Sequence, residues 1–322
     1  MWQAIILYVA VRRDQERYYK QQAEYAEAAL RGGNLGVFHK HVQRIFGEQQ
    51  GSKSAAPMSV LGGPDGKQVL QSREEVVKRF AEHFADVLNC PTTLDPQMQQ
   101  TIEDLVQQVE QGRGAMKQPD SAAELPTLKE VIEAVQACRN GASPGVDGIG
   151  APMLKLSGTM VEWLHRVIVA VWQSGCAPVE WKRALLVALY KGKGERKLTD
   201  NYRGISLLSI PGKVYVLILL SRISSHVDAQ LLDSQSAFRK GRGLTDALFT
   251  IRQVISKCVE FNEPLFMAFV DLRKAYDSVP RESLWQILRV YGVHAKLVEL
   301  LEDLHKGTQA AVRMGGSMSE WF

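Results

Sequence analysis

Phe269-Val270-Asp271-Leu272-Arg273-Lys274-Ala275-Tyr276-Asp277-Ser278-Val279-Pro280 is the stretch from which the rest of the chain is read. It continues Leu265 to Val270, six consecutive apolar residues after Pro264, a run short enough for a strand buried on both faces. The run ends at Asp271, so an acid stands at the end of an expected buried strand, with an aromatic, Tyr276, five residues on. Pro280 then opens a helix that is expected to bury Leu284, Ile287, Leu288 and Tyr291 and to stop at Gly292. Asp277 lies just before that helix, where a carboxylate more naturally caps than ligates.

Downstream, Gln309 to Met314, the pair Gly315-Gly316, and Ser317 onward spell a strand, a two-residue turn and a partner strand cut short at Phe322. Upstream, Thr245 is placed to cap a helix with the stripe Leu248, Ile251, Ile255 and Cys258. Pro211 starts another helix that carries Val214 to Leu220. Before it, Ala184 to Tyr190 and Tyr202 to Ile210 are two extended apolar runs around a basic, glycine-containing tip, Lys191 to Thr199, the pattern of a hairpin.

Apolar periodicity over Met153 to Trp172 gives one or two helices. Thr127 with Glu130, and Ser72 with Glu75, have capping-box spacing. The first box precedes the stripe Val131, Val135, Cys138. The second precedes Val76, Val77, Phe80, Phe84, Val87 and Leu88. Apolar residues flank a Gly62 to Gly66 turn, Asn89 to Ser121 is polar with a short helix, Gln49 to Pro57 is linker, and Asp14 to Leu30 is helical up to Gly32-Gly33.

Composition is that of an ordinary globular chain: 322 residues, 45% hydrophobic and 23% charged, which excludes disordered, collagen-like and disulfide-scaffold classes. The apolar stretch Ala4 to Val11 is far too short to span a bilayer, and Arg12 and Arg13 follow it where a secretory signal wants positive charge before it. Cys90, Cys138, Cys176 and Cys258 form no C-x-x-C pair and are read as reduced, mostly buried thiols. The scattered histidines suggest no metal role. Net charge is only +4, but Trp181 to Gly243 holds twelve Lys/Arg against four Asp/Glu, a local +8. Such a segment is either a solvated face or the footprint of a phosphate-backbone binder.

The Phe269–Pro280 string resembles the first catalytic motif of reverse transcriptases, and companion motifs stand in order along the chain. Asn201-Tyr202-Arg203-Gly204-Ile205-Ser206-Leu207-Leu208 resembles the family's fingers motif, with Gly204 where many members have Pro. Gln235-Ser236-Ala237-Phe238-Arg239-Lys240-Gly241-Arg242-Gly243 with Thr245-Asp246-Ala247 is similar to the motif that follows. Ser143-Pro144-Gly145-Val146-Asp147-Gly148 matches a motif upstream of the fingers in the non-LTR (LINE-type) branch. The resemblance covers about residues 20 to 322. The family's next motifs, a Gln-Gly helix start and a Tyr-x-Asp-Asp hairpin, would fall beyond Phe322, so a C-terminally truncated fragment is expected.

The resemblance implies an α+β fold: a helical N-terminal extension (1–50), a linker with a short hairpin and helices (51–125), a helical pre-fingers region (126–180), and right-hand polymerase fingers with a partial palm (181–322). It implies RNA-directed DNA synthesis, with an RNA template, a DNA primer and dNTPs as partners and Mg²⁺ as cofactor. Asp271 is then the catalytic, metal-binding carboxylate. Lys191 and Arg203 hold the dNTP triphosphate, and Tyr276 lies under its sugar. Arg239, Lys240 and Arg242 approach template or primer phosphate. Residue type alone also allows Tyr276 as core filling, Lys191 as a solvated turn charge and Arg203 as a surface ion-pair partner. One carboxylate cannot hold two Mg²⁺ ions that demand near-octahedral oxygen ligands, so this chain by itself is expected to be inactive. An intracellular location, nuclear or cytoplasmic, is expected. The alternative is a non-catalytic nucleic-acid-binding relic or interaction protein.

Overall fold

The computed structural model describes residues 59–62, 68–89, 95–111, 117–156, 158–272, 275–276 and 279–322, with scattered positions between 17 and 41. The expected linker at Gln49 to Pro57 and the side chains of Arg273, Lys274 and Asp277 lie outside the described residues. Described positions from Lys20 to Ala29 are helical, and the Gly32 amide donates to the Ala28 carbonyl at 3.0 Å.

In chain order, β1 (Val60–Gly62) and β2 (Gln68–Leu70) pair antiparallel, Val60 opposite Leu70, as the flanked turn predicts. Helix α1 (Arg73–Leu88) follows, its Ser72 hydroxyl accepting from the Glu75 amide at 3.2 Å. Helix α2 (Pro96–Glu110) starts at an Asp95 cap with Pro96 in its first turn, and is longer than the short helix expected there. Helix α3 (Leu128–Ala137) has the complete Thr127–Glu130 capping box. Two helices, α4 (Ala151–Leu156) and α5 (Gly158–Ser174), occupy the next periodic stretch. Strands β3 (Arg183–Tyr190) and β4 (Tyr202–Leu208) form the expected hairpin, with Ala184 opposite Leu208 and Tyr190 opposite Tyr202. The remaining elements are α6 (Ile210–Asp228), α7 (Leu244–Glu260), α8 (Arg281–Val290), α9 (Ala295–His305), β5 (Gln309–Met314) and β6 (Ser317–Met318). Gly315 and Gly316 turn β5 into β6 with φ of 55° and 89°, the positive pair that a two-residue hairpin turn requires. Helix and sheet are mixed, as an α+β class requires. No helix among the described residues is long and apolar enough to cross a membrane.

The chain divides into two compact units that cut across its linear segments. The first comprises residues 1–89, 124–219 and 299–322. Its four-stranded sheet has the order β4-β3-β5-β6, with β5 parallel to β3 and Arg183 opposite Gln309. Helix α1 lies across one face of that sheet and buries Val76, Val77, Phe80 and Phe84 against Leu186, Ala188, Tyr202, Val312 and Met314. Val60 of β1 closes the same core, and the Leu61 amide donates to the Lys197 carbonyl at 2.8 Å. Leu88, expected on the buried stripe, is exposed at the end of α1. A second layer joins α5 and α6, where Tyr215 packs against Trp172 and Trp181. Asp303 ties this layer down by accepting from Lys182 Nζ at 2.9 Å and from the Ala177 amide at 2.7 Å.

The second unit comprises residues 90–123 and 220–298. In it α2 packs against α8, and the side chain and backbone of Gln118 bond to Arg222, Gly292 and His294. Helix α8 starts after Pro280, as expected, but buries Ser283 and Trp285 while Leu284 is partly exposed, so the stripe is displaced from the expected one.

Two further expectations are corrected in this unit. Leu265 to Val270 does not form a strand, and Phe266 is 92% and Val270 83% exposed. The reason is pairing: a β backbone needs a neighbouring strand for its N–H and C=O groups, and no strand occurs among the described residues of this unit. Helix α7 begins one residue before Thr245, with the Gly243 amide donating to Asp246 at 2.7 Å, and its apolar stripe is not buried. Among the described cysteines only Cys138 is buried, its thiol pKa raised by that burial, whereas Cys176 is exposed.

Candidate nucleotide and nucleic-acid site

The upstream motif Ser143 to Gly148 acts as a lock on the chain where β4 passes into α6. Asp147 accepts from the Ser209 hydroxyl at 2.6 Å and from the Ile149 amide at 3.2 Å, and the Ser209 oxygen accepts from the Gly212 amide at 3.1 Å. Gly145 lies so close that a Cβ there would be 2.4 Å from the Ser209 nitrogen. The motif therefore holds the base of the hairpin that carries Lys191 and Arg203.

The tip of that hairpin is ordered by side chains capturing its own carbonyls. Asn201 Nδ2 donates to the Glu195 carbonyl at 2.8 Å and Tyr202 Oη to the Arg196 carbonyl at 2.9 Å, while Tyr190 Oη donates to Gly194. Gly192 and Gly194, both with φ of 79°, supply the left-handed positions of the turn. The Lys191 ammonium donates to the Asp200 carbonyl at the surface. The Asp200 carboxylate also lies 3.6 Å from His83 of α1. Arg203, opposite Leu189 on the edge strand, is exposed and has no hydrogen-bond or ion-pair partner among the described residues. Gly204 takes the ring of Phe84: a Cβ there would be 3.1 Å from it, which gives the glycine at this position a packing reason.

The other expected site residues belong to the second unit. Asp271 follows the exposed Leu265–Val270 segment and is itself exposed, with no partner among the described residues. No group of three or more His, Cys, Asp or Glu placed to hold a metal occurs among the described residues. The described residues thus offer one carboxylate at this place, Asp271, and by themselves do not fit a two-ion centre. Tyr276 is 74% exposed, so it is not core filling, and its ring meets that of Phe238 edge-on at 5.8 Å.

The three basic residues of the 235–243 motif divide. Arg239 is a clamp: Nε donates to Asp228 Oδ1 at 2.7 Å, Nη2 to the Asp228 carbonyl and carboxylate, and Nη1 to the Leu232 carbonyl. Its side chain is 7% exposed, and the guanidinium holds the Asp228 carboxyl below the usual carboxylate range. That geometry closes the C-terminus of α6, where a cation is favoured, and leaves no free donor edge for a phosphate, contrary to the expectation for Arg239. Arg242 pairs with Asp233 at 2.7 Å on the surface, a contact worth only about 0–1 kcal/mol and open to exchange. Lys240 is exposed and has no partner among the described residues. Sequence reasoning missed Phe238 as a feature in its own right. The only signal for it is an aromatic residue set among arginines, lysine and glycines.

A sequence profile described as "Reverse transcriptase (RNA-dependent DNA polymerase)" matches residues 191–319. The Transposon TX1 uncharacterized 149 kDa protein of Xenopus laevis is 26% identical over 76% of this chain and 18% of its own length. The RNA-directed DNA polymerase from mobile element jockey of Drosophila melanogaster is 24% identical over 69% of this chain and 24% of its own length. The probable RNA-directed DNA polymerase from transposon X-element, also of Drosophila melanogaster, is 29% identical over 59% and 21% respectively. The chain spans about a fifth of the length of these relatives. Residues 191–319 are thus similar to the reverse transcriptase family, and the chain that carries the hairpin and the motifs in order is similar to proteins named from transposable elements.

Proposed function

We propose that the chain is the nucleotide- and template-gripping part of an RNA-directed DNA polymerase, with the β3–β4 hairpin as the fingers of a right-hand polymerase and residues 264–276 as the start of its palm. The observation that carries this is the hairpin itself: its tip is tied by its own side chains, its base is locked by Asp147 and Gly145, and it presents Arg203 with no side-chain partner among the described residues. An arginine held on a stiff strand with its donors unspent suits a triphosphate, because the guanidinium fork matches phosphate oxygens. Lys191 supplies a second cation from the tip. Tyr276, exposed in the second unit, suits contact with the nucleotide sugar. Lys240 and Arg242 suit template or primer phosphates, whereas Arg239 positions the loop that carries them. The partners are an RNA template, a DNA primer and dNTPs, in an intracellular setting.

Two-ion nucleotidyl transfer needs carboxylates beyond Asp271. The 322 residues alone are therefore proposed to bind nucleic acid without extending it. The test is primer extension by the purified chain on an RNA template with Mg²⁺ and dNTPs, beside Asp271→Ala. Absence of extension is expected. Extension that Asp271→Ala abolishes would show a complete metal site and contradict the non-extending proposal.

A further inference from the structure

Phe238 is the most anomalous side chain in the described structure. Its backbone has φ of 60°, a left-handed conformation that costs a bulky residue about 1–2 kcal/mol, and its side chain is 93% exposed. Neither a core role nor local backbone preference explains an aromatic residue there. The conformation is imposed by its surroundings. Arg239, the next residue, is clamped onto Asp228 and the Leu232 carbonyl, and Arg242 is held by Asp233. The buried Arg239 clamp fixes the loop beside Phe238, and the two pairs occupy Asp228 and Asp233, so the charge that Lys240 presents to solvent is positive.

Phe238 and Tyr276 meet edge-on, with ring planes at 89°. With Phe238 93% and Tyr276 74% exposed, ring faces stay open to solvent, two residues from Lys240, whose ammonium has no partner among the described residues. Open aromatic faces beside a cation are what an unpaired nucleobase and its phosphate need. We propose that Phe238 is a stacking platform for an unpaired base of a nucleic-acid strand, with Lys240 holding the adjoining phosphate. The proposal rests on the chain being a nucleic-acid-binding polymerase segment and adds a base-contacting residue to it.

The test measures binding of the 322-residue chain to a labelled oligodeoxyadenylate and to an abasic oligomer of equal length, each across a salt series. The wild type binds the base-bearing oligomer about tenfold more tightly, the size expected for one stacked base. Phe238→Ala and Phe238→Gly remove that preference and leave abasic binding unchanged, and Phe238→Trp keeps it. Phe238→Gly does so without lowering Tm, because glycine adopts the positive φ freely. Lys240→Gln weakens both oligomers alike and lowers the salt slope by about 0.7. The proposal is overturned if Phe238→Gly retains the base preference, or if it weakens both oligomers equally, which would make Phe238 structural. Salt-dependent binding with no base preference in the wild type sinks the platform and leaves the polymerase reading standing. No binding of either oligomer at low salt would sink both.

Discussion

A methyl group on Gly145 would lie 2.4 Å from the Ser209 nitrogen and 2.6 Å from the Leu208 carbonyl carbon, both backbone atoms that cannot swing away. Gly145→Ala is therefore expected to destabilise the first unit by about 1–3 kcal/mol, read as a lower midpoint in chemical denaturation. Tyr215 gives the opposite sign. Its hydroxyl is buried with no hydrogen-bond partner among the described residues, and burial, then Asp303, raise its pKa. Tyr215→Phe removes an unsatisfied polar group and should leave stability unchanged or raise it by up to about 1–3 kcal/mol, whereas a loss of Tm would mean that the hydroxyl has a partner. The Asp228–Arg239 clamp makes a pH prediction. A carboxyl depressed by its hydrogen bond to arginine contributes stability that is fully present above the unfolded value of about 3.9 and is lost as pH falls through the folded one. Asp228→Asn should thus lower Tm at neutral pH and approach the wild type in acid, and a constant difference across pH would contradict it. At this scale the sequence shows which residues matter more clearly than why. The Ser143–Gly148 motif is plain in the letters, but the partner of Asp147 stands 62 residues away, and no local pattern names Ser209.

Helix α1 shows what pattern reading does well. Its Ser72 cap and the stripe Val76, Val77, Phe80, Phe84 are visible as spacing, and the same residues are buried. What it covers is not visible, because β5 enters the sheet parallel to β3 from more than a hundred residues downstream. Phe80 packs edge-on to Tyr202 at 5.0 Å, so the helix supports the strand that carries Arg203. Phe80→Ala should cost about 3–5 kcal/mol, while Leu88→Ala on the exposed end of the helix should stay within about 0.5 kcal/mol, both by urea unfolding. Equal effects would mean that α1 does not seat on the sheet. The Leu265–Val270 run marks the limit of the same method. An apolar run says that a segment can be buried, but a strand exists only with a partner, and that partner is not a property of the run itself. Helix α7 repeats the lesson with a clear stripe that is not buried.

Over the whole molecule, charge is more informative in its distribution than in its sum. The local +8 of residues 181–243 is divided by the fold into charges that hold structure, such as Arg239 and Lys182, and charges left to solvent, such as Arg203 and Lys240. Only the second kind can grip phosphate, and composition alone cannot separate them. The most direct test of the central claim is the affinity of the chain for an RNA/DNA hybrid measured against salt concentration. A steep fall in affinity with salt is expected, with Lys240→Gln/Arg242→Gln lowering the slope by about 1–2 and Arg239→Lys lowering Tm instead. Absent binding at low salt, or a slope that the double substitution leaves unchanged, would contradict the account.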